Sequence, residues 1–324
     1  MILEQKEDNQ IVFGGKIIET GIDIEDLTFI KEALSGKIYS SKYSFITENI
    51  QNATDIHKEV NSDKKVEVGF DIDDSGRFIF FKDWGTGISL DLMENVVAKF
   101  GKSTKRTDNN TNGGFGIGFF SNLAFTDKCF IITNVDGFEY TYLLTNNNGA
   151  EFQLLTTKET TELNGTTIKV YISSGYYEFR EVKDNLRRLA AYFEGINCSE
   201  FTHPLIKNEH FYFSQDFDGD DNVHICLGKG YYYALPWKLL NIKPIPIKVA
   251  IPFNTGELKP SLNRETLQIE KHHLELIETK LLNLMSYLKA NVKTEFDNIH
   301  EYLAAKKGSK IEFVKGLWIS YDDL

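Results

Sequence analysis

The 324-residue sequence predicts an α+β fold in two parts. Segments with the helical spacing of apolar residues occur beside strand pairs that alternate apolar and polar residues, and this mixture is typical of packed α and β layers. The length suggests roughly two domains. The periodicity weakens around residues 195–210, so we place a boundary there and predict domains at 1–198 and 199–324.

The first predicted elements are a helix, a hairpin and a second helix. The segment 43–57 repeats apolar residues at i, i+4 and i+7, which predicts a helix with one apolar face. Residues 65–72 alternate as a strand, and residues 77–83 follow a Ser-Gly turn as its partner. Apolar residues then recur at helical spacing over 89–100, with Ser89 as the N-cap.

The later elements follow from the same patterns. Strands are predicted at 128–135, 166–172 and 247–253, and a helix at 180–193. From Leu274 onward, leucine and isoleucine recur at helical spacing, which predicts a long amphipathic helix that continues to residue 303.

Composition disfavours several classes of protein. The net charge of −11 disfavours nucleic acid as a partner, because a negative surface repels phosphates. The three cysteines form no CxxC pair, so neither a zinc ribbon nor a disulfide framework is predicted, and a reducing, cytoplasmic location is expected. The charged N-terminus does not read as a signal peptide, and no apolar run of ~18 residues predicts a membrane span.

The first candidate site lies on the helix at 43–57. Glu48, Asn52 and Asp55 share the face opposite the apolar one. A carboxylate can act as a general base, and an amide oxygen suits Mg²⁺ without adding negative charge beside phosphates. The ordinary alternative is a solvated helix face.

Three further motifs follow in chain order. "DWGTGI" begins at Asp83 between a strand and a helix. Its carboxylate could accept a hydrogen bond from the exocyclic amino group of a nucleotide base, with the glycines letting the flat ring approach the backbone. The alternative is a carboxylate that hydrogen-bonds within its own turn. "NGGFGIGFFSN" at 112–122 could cradle phosphates at the start of a helix over 119–125, or form a flexible tip. "NGTTIKV" at 164–170 places Thr166 where a strand begins.

The order and spacing of these four motifs resemble the Bergerat fold of the GHKL ATPases, which include gyrase-type topoisomerases, Hsp90, histidine kinases and MutL. "GGFGIGFFSNLAFTDKCFIIT" looks most like Hsp90, and "VVAKFGKSTK" resembles the segment next to the lid in Hsp90 and MORC-type ATPases. The resemblance covers roughly residues 40–175. It implies a Bergerat-type α/β sandwich that binds ATP and Mg²⁺, followed by a second α+β domain like the Hsp90 middle domain.

The resemblance also implies roles for matching residues. Glu48 resembles the general base, Asn52 the magnesium ligand, and Asp83 the adenine-binding aspartate. Other positions of the motifs are expected to contact the nucleotide: Asp55, Gly87, Ile88, Asn95, Lys99, Gly113, Gly114, Phe115, Gly116, Ile117, Gly118, Phe119 and Thr166. The loop at 101–114 is expected to be the lid.

The second domain carries one more matching segment. "GELKPSLNRETLQIEKHHLELIETKL", which begins at Gly256, resembles the Hsp90 middle-domain loop and a MutL segment that send a basic residue to the γ-phosphate. Arg264 is the matching residue, and a cation there would stabilise transition-state charge. The alternative is a surface arginine paired with Glu265 or Glu270.

The resemblance implies an Hsp90-like ATPase whose lid closes on ATP and drives homodimerisation, as a clamp or chaperone-like machine with a protein partner or client. The sequence also resembles phage rIIA-type proteins, which allows a phage or anti-phage role. Two alternatives stay open: a MutL-, topoisomerase- or MORC-like module acting on nucleic acid, and a nucleotide sensor without turnover. A histidine kinase is disfavoured because no histidine precedes Glu48. A Walker A phosphate-binding loop at "FGKST" is also disfavoured, because the segment lacks the earlier glycine and the preceding strand of that motif.

Overall fold

The computed structural model describes residues 39–98, 118–146, 150–173, 175–261, 264–291 and 310–320. Within these ranges the chain is mixed α+β, with a seven-stranded and a five-stranded sheet and two further strand pairs. The predicted α+β class is confirmed at this level. The domain boundary after residue 198 stays a prediction.

The seven-stranded sheet has the order β5-β4-β3-β6-β2-β1-β7. Its strands are β1 (Val66–Asp73), β2 (Gly76–Lys82), β3 (Lys128–Val135), β4 (Phe138–Asn146), β5 (Ala150–Glu159), β6 (Gly165–Tyr171) and β7 (Ile196–Cys198). β7 pairs parallel with β1, and the other pairs are antiparallel. All four strands predicted for this region are present. The β4–β5 hairpin was not predicted, because the edge strand β5 is mostly exposed and lacks an apolar alternation.

Two helices cover this sheet. The predicted helix at 43–57 is α1 (Ser44–Glu59), which contacts β1 and β2 through a fully buried apolar face that includes Ile46 and Ile50. Its burial removes several large side chains from water, which stabilises the layer. The helix predicted at 180–193 is α3 (Tyr176–Ala190), which begins four residues earlier than expected and packs against α1.

Two predicted helices differ from the expectation. The helix expected over 89–100 is a single turn, α2 (Leu90–Leu92), followed by a π-helical turn over Met93–Val97, although Ser89 does cap it by accepting from Leu92 N at 3.2 Å. The helix expected over 119–125 is a 3₁₀ helix, Gly118–Ala124. Its serine and asparagine side chains bond carbonyls three residues earlier and so compete with α-helical geometry.

The five-stranded sheet has the order β11-β10-β12-β9-β8, with β10 and β12 parallel. Its strands are β8 (Ile206–Lys207), β9 (Tyr212–Phe213), β10 (His224–Leu227), β11 (Tyr231–Ala234) and β12 (Ala250–Phe253). The strand predicted at 247–253 is therefore present but begins three residues late, at Ala250.

The remaining elements lie beside this second sheet. They are α4 (Trp237–Leu240), the pair β13 (Lys259–Pro260) and β14 (Leu267–Gln268), α5 (Lys271–Asn291), and the pair β15 (Lys310–Val314) and β16 (Leu317–Ser320). The amphipathic pattern of α5 is confirmed, because Ile277, Leu281, Leu284 and Leu288 are buried. Its predicted extension to residue 303 lies outside the described residues.

One apolar cluster runs through both sheets. It includes Val68 and Ile79 of the first sheet and Ile225 and Ile251 of the second. The link is made by α3, which contacts β11. None of the described helices is both long and apolar enough to cross a membrane.

A buried histidine lies in an aromatic cluster of the second sheet. His224 Nε2 accepts from the Tyr192 hydroxyl at 2.8 Å, and Nδ1–H donates to the Asn222 carbonyl at 2.9 Å. The ring stacks on Phe217 at 4.6 Å between centroids. Burial lowers the pKa of His224 to about 4. The imidazole is therefore neutral in the folded chain at neutral pH.

This pKa predicts that the chain loses stability in mild acid. The unfolded chain binds a proton on this histidine near its ordinary pKa of 6.5, whereas the folded chain binds it only near pH 4. The contribution is therefore full above pH 6.5 and is lost as the pH falls towards 4. We expect the H224Q variant to lose about 3 kcal/mol less than wild type between pH 7 and pH 4. Urea unfolding across that range measures the difference.

The control is H272Q, which changes a histidine whose side chain is 67% exposed. It should retain the wild-type dependence of stability on pH. Equal slopes for wild type and H224Q would contradict the expectation.

Candidate active site

The polar face of α1 is buried rather than solvated. Glu48, Gln51 and Asp55 are 6%, 1% and 4% exposed, and Asn52 is half-buried. These four residues share one helix face because they are three or four positions apart. The sequence analysis missed Gln51, although its spacing from Glu48 would have placed it on this face.

An arginine from the second half of the chain reaches this face. Arg264 Nη1 lies 3.4 Å from both carboxylate oxygens of Glu48, and the two side chains are each 8% exposed. Arg264 also donates to Gln51 Oε1, which accepts a second bond from the Tyr231 hydroxyl. The alternative of a surface arginine does not fit this burial. Arg264 has φ of +55°, a conformation uncommon outside glycine and often found at functional sites.

The surroundings of Glu48 alter its acidity. Burial raises the pKa of Glu48, the Arg264 guanidinium opposes that rise, and the Asp55 carboxylate adds to it. The pKa of Glu48 therefore lies above its ordinary value. A carboxylate with a raised pKa is a stronger base than an exposed one, which suits it to accept a proton.

Two more contacts join α1 to the second half. Lys229 Nζ lies 2.6 Å from Asp55 Oδ1. Near the start of α1, the Glu265 carboxylate accepts from Ser41 N at 2.8 Å and Ser44 Oγ at 2.6 Å. Burial alone would raise the pKa of Glu265, but these and neighbouring hydrogen bonds hold it below its ordinary value. A negative charge is favourable at a helix N-terminus, so Glu265 stabilises the start of α1, while Lys229 contacts its second half at Asp55.

A second group of predicted residues meets at the end of β2. Asp83 Oδ1 accepts from Gly85 N at 2.8 Å and from Thr166 N at 3.2 Å. The Thr166 hydroxyl lies 3.2 Å from that of Thr133, which in turn accepts from Ile88 N at 2.7 Å. The structure therefore brings Asp83, Ile88 and Thr166 together around Thr133, a residue that the sequence analysis did not single out.

The turn after Asp83 also contacts neighbouring elements. Gly87 has φ of +75°, and a Cβ there would lie 2.2 Å from the Asn134 carbonyl oxygen, so close packing on β3 already requires glycine. Trp84 N donates to His57 Nε2 of α1 at 2.8 Å. Burial lowers the pKa of His57, which keeps that nitrogen available as an acceptor. His57 thus links the two groups, and its pattern in the sequence carried no signal.

The end of the glycine motif lies against α1. A Cβ on Gly118 would be 2.8 Å from Glu48 Oε2 and 3.1 Å from Asn52 Nδ2. Phe119, the next residue, is half-buried, and its carbonyl accepts from Asn122 Nδ2. The remaining residues assigned to this region lie outside the described residues: Lys99, Gly113, Gly114, Phe115, Gly116, Ile117 and the expected lid at 101–114.

Asn95 stands apart from both groups. It is exposed in the π-helical turn, and its amide donates to Asp91 Oδ1 at 2.7 Å. Among the hydrogen bonds of the described residues, none joins Asn95 to the Glu48 group or to the Asp83 group. A ribose contact for Asn95 stays a prediction.

The oxygen donors on α1 fit one kind of metal site. Glu48, Asn52 and Asp55 present hard oxygens, which Mg²⁺ prefers. No cluster of three or more acidic, histidine or cysteine side chains among the described residues could hold a metal by itself. The donor set therefore suits Mg²⁺ held by one or two side chains together with water and phosphate oxygens, as is usual for this ion.

Comparison with known proteins gives partial similarities. No family model matches the chain. It is similar to the chaperone protein HtpG of Aliarcobacter butzleri, with 29% identity over 161 residues, covering 42% of this chain and 25% of that protein. For HtpG of Sulfurovum sp. the identity is 28% over 170 residues, with coverage of 45% and 27%. For HtpG of Nitrosomonas europaea it is 27% over 188 residues, with coverage of 49% and 29%.

The chain thus matches little more than a quarter of the length of these curated relatives. The similarities support the predicted relationship to Hsp90-like GHKL proteins. They give no support to the resemblance to phage rIIA-type proteins.

The contact between Asp83 and β6 predicts a cost for one substitution. Gly165 has φ of +154°, and a Cβ there would lie 2.2 Å from the Asp83 carbonyl oxygen. Neither backbone can move without breaking two hydrogen bonds, from Asp83 N to the Thr166 carbonyl at 2.9 Å and from Thr166 N to Asp83 Oδ1 at 3.2 Å. We expect Gly165→Ala to lower the free energy of unfolding by about 3 kcal/mol, measured by chemical denaturation.

Gly76→Ala is the matched control. Its φ is +122°, but nothing lies within 4 Å of a Cβ at that position. It should cost about 1 kcal/mol, from backbone strain alone. If both variants lost the same stability, the close approach to Asp83 would not matter.

Proposed function

We propose that this chain binds Mg-ATP and hydrolyses it in the manner of an Hsp90-like GHKL ATPase. The observation that carries the proposal is the buried Glu48–Arg264 pair beside Gly118 and Asn52. Phosphoryl transfer to water uses a base that activates the water, a cation that stabilises charge on the phosphate, and glycine backbone that lets the phosphate approach closely. The partial similarity to HtpG supports the same reaction.

Asp83 is assigned to the adenine. Its carboxylate is half-buried at the end of β2 and oriented by Gly85 N and Thr166 N. A carboxylate fixed in this way can accept a hydrogen bond from the exocyclic amino group of the adenine. Gly87, Ile88 and Thr166 lie in the same group and are assigned to the ring.

Glu48 is assigned to the attacking water. Its pKa is raised by burial, so it can take a proton from a water molecule more readily than an exposed glutamate would. Asn52 lies one helical turn along α1 and is assigned to Mg²⁺, with Asp55 nearby. When bound, Mg²⁺ would neutralise negative charge on the phosphates.

Arg264 is assigned to the γ-phosphate. It enters from the second half of the chain and ends beside Glu48. A guanidinium there would stabilise the charge that develops on the phosphoryl oxygens, and would make turnover depend on how the two halves are docked.

Further steps follow the Hsp90 analogy. The loop at 101–114 is assigned as a lid, with Lys99 and the glycines from Gly113 to Gly116 on the phosphate side. ATP binding would close the lid and favour a homodimer that acts as a clamp on a protein client.

A sensor without turnover is the second candidate. In the structure Arg264 Nη1 lies 3.4 Å from Glu48, which can take a proton from water only when the guanidinium turns to the γ-phosphate. If nucleotide does not displace the arginine, the chain binds ATP and changes shape without hydrolysis.

ATP turnover, nucleotide affinity and mass in solution together test the proposal. Asp83→Asn should lose binding, because an amide presents the wrong hydrogen-bond pattern to the adenine. Glu48→Ala should bind ATP, lower kcat by at least about a hundredfold and accumulate as a dimer with a non-hydrolysable ATP analogue. Arg264→Ala should lower kcat by about a thousandfold.

Arg180→Ala is the control, because the Arg180 side chain is 69% exposed on α3. It should turn over ATP at the wild-type rate. A wild-type chain that binds ATP without hydrolysing it supports the sensor, and one that binds no nucleotide refutes both candidates.

A further inference from the structure

A short turn of the second sheet is fixed in front of α1. The turn Gly228-Lys229-Gly230 joins β10 to β11. Gly228 N donates to the Phe253 carbonyl at 2.7 Å, and the Lys229 carbonyl accepts from Glu194 N at 3.2 Å. The backbone of Lys229 is therefore held by β12 on one side and by the segment after α3 on the other.

From this turn, Lys229 reaches a buried carboxylate. Its Nζ lies 2.6 Å from Asp55 Oδ1, and the Asp55 side chain is 3% exposed while that of Lys229 is 32% exposed. The pair differs from surface pairs such as Lys169–Asp73, in which the aspartate is 34% exposed. A buried carboxylate needs a partner charge, whereas an exposed one is served by water.

The contact continues through two side chains to the candidate base. Asp55 Oδ2 accepts from Gln51 Nε2 at 3.4 Å. Gln51 Oε1 then accepts from Arg264, whose guanidinium lies beside Glu48. Lys229 is thus connected to Arg264 along the face of α1, although the sequence motifs do not single it out.

We propose that Lys229 is a positioning residue for the hydrolytic site: it orients Asp55 and Gln51 so that Arg264 is held beside Glu48, within reach of the position assigned to the γ-phosphate. This inference rests on the proposed ATPase function. An arginine side chain has many rotamers. When Asp55 holds the Gln51 amide in place, Gln51 Oε1 restricts the rotamers that Arg264 can adopt. Lys229 therefore acts through Asp55 and Gln51, and it also ties the second sheet to α1.

The main test is steady-state ATP turnover of Lys229→Met, which keeps most of the length of the side chain and removes its charge. We expect kcat to fall about ten- to a hundredfold, because small displacements of catalytic groups have effects of that size. KM for ATP should stay within about threefold, since Lys229 itself is assigned no contact with the nucleotide. Lys229→Arg should recover most of kcat, and Lys169→Met should match wild type.

A second background isolates the route of the effect. In Asp55→Asn the buried charge is absent, so adding Lys229→Met should change kcat by less than about twofold. The double variant also avoids leaving the buried Asp55 carboxylate without the lysine, so the comparison holds even where Lys229→Met alone folds poorly. The inference is overturned if Lys229→Met keeps wild-type kcat, or if it lowers kcat equally with and without Asp55.

Hydrogen exchange separates failure of this inference from failure of the proposed function. If the wild-type chain does not hydrolyse ATP, the ATPase proposal fails and the role of Lys229 is read from the amides of α1. Lys229→Met should then speed exchange at residues 51–55 by at least about tenfold, with no change in Lys169→Met. Unchanged exchange in Lys229→Met would overturn the inference on its own.

Discussion

The structure depends on the burial of charge along one face of α1. Glu48 and Asp55 are both removed from water, and each such carboxylate would cost several kcal/mol without a partner. The partners, Arg264 and Lys229, come from the second half of the chain. The apolar face of α1 fixes the helix on the first sheet, while its charged face requires the second sheet to be docked. The site and the packing of the two halves are therefore one arrangement.

α1 also connects the two groups of candidate residues. Its first half holds Glu48 against Arg264, and its end holds the turn after Asp83 through His57 and Trp84. A shift of this helix would move the proposed base, Glu48, and the proposed adenine contact, Asp83, together. Such a rigid element, with a ligand group at each end, is the physical basis on which binding at one end can influence geometry at the other.

The sequence predicted what local pattern determines. The apolar repeat of α1 and α5 and the β1–β2 hairpin follow from periodicity alone, and Glu48, Asn52 and Asp55 share a face by spacing. The 3₁₀ helix at 118–124 was mistaken for an α-helix because side-chain bonds to the backbone leave apolar spacing nearly unchanged. Lys229 could not be found, because its contact with Asp55 joins residues 174 positions apart and depends on how the sheets dock.

Glu48 and Arg264 are 216 positions apart. At ordinary rates of protein synthesis, about 5–20 residues per second, α1 emerges about 10–40 s before the arginine that it will bury. Throughout that interval its carboxylates must stay hydrated, so the helix cannot adopt its final environment on a growing chain. Because the proposed hydrolysis needs both groups, a chain in which α1 is not yet docked on Arg264 would bind nucleotide without turning it over. Long-range charge pairing would thus make ATP turnover a measure of completed docking.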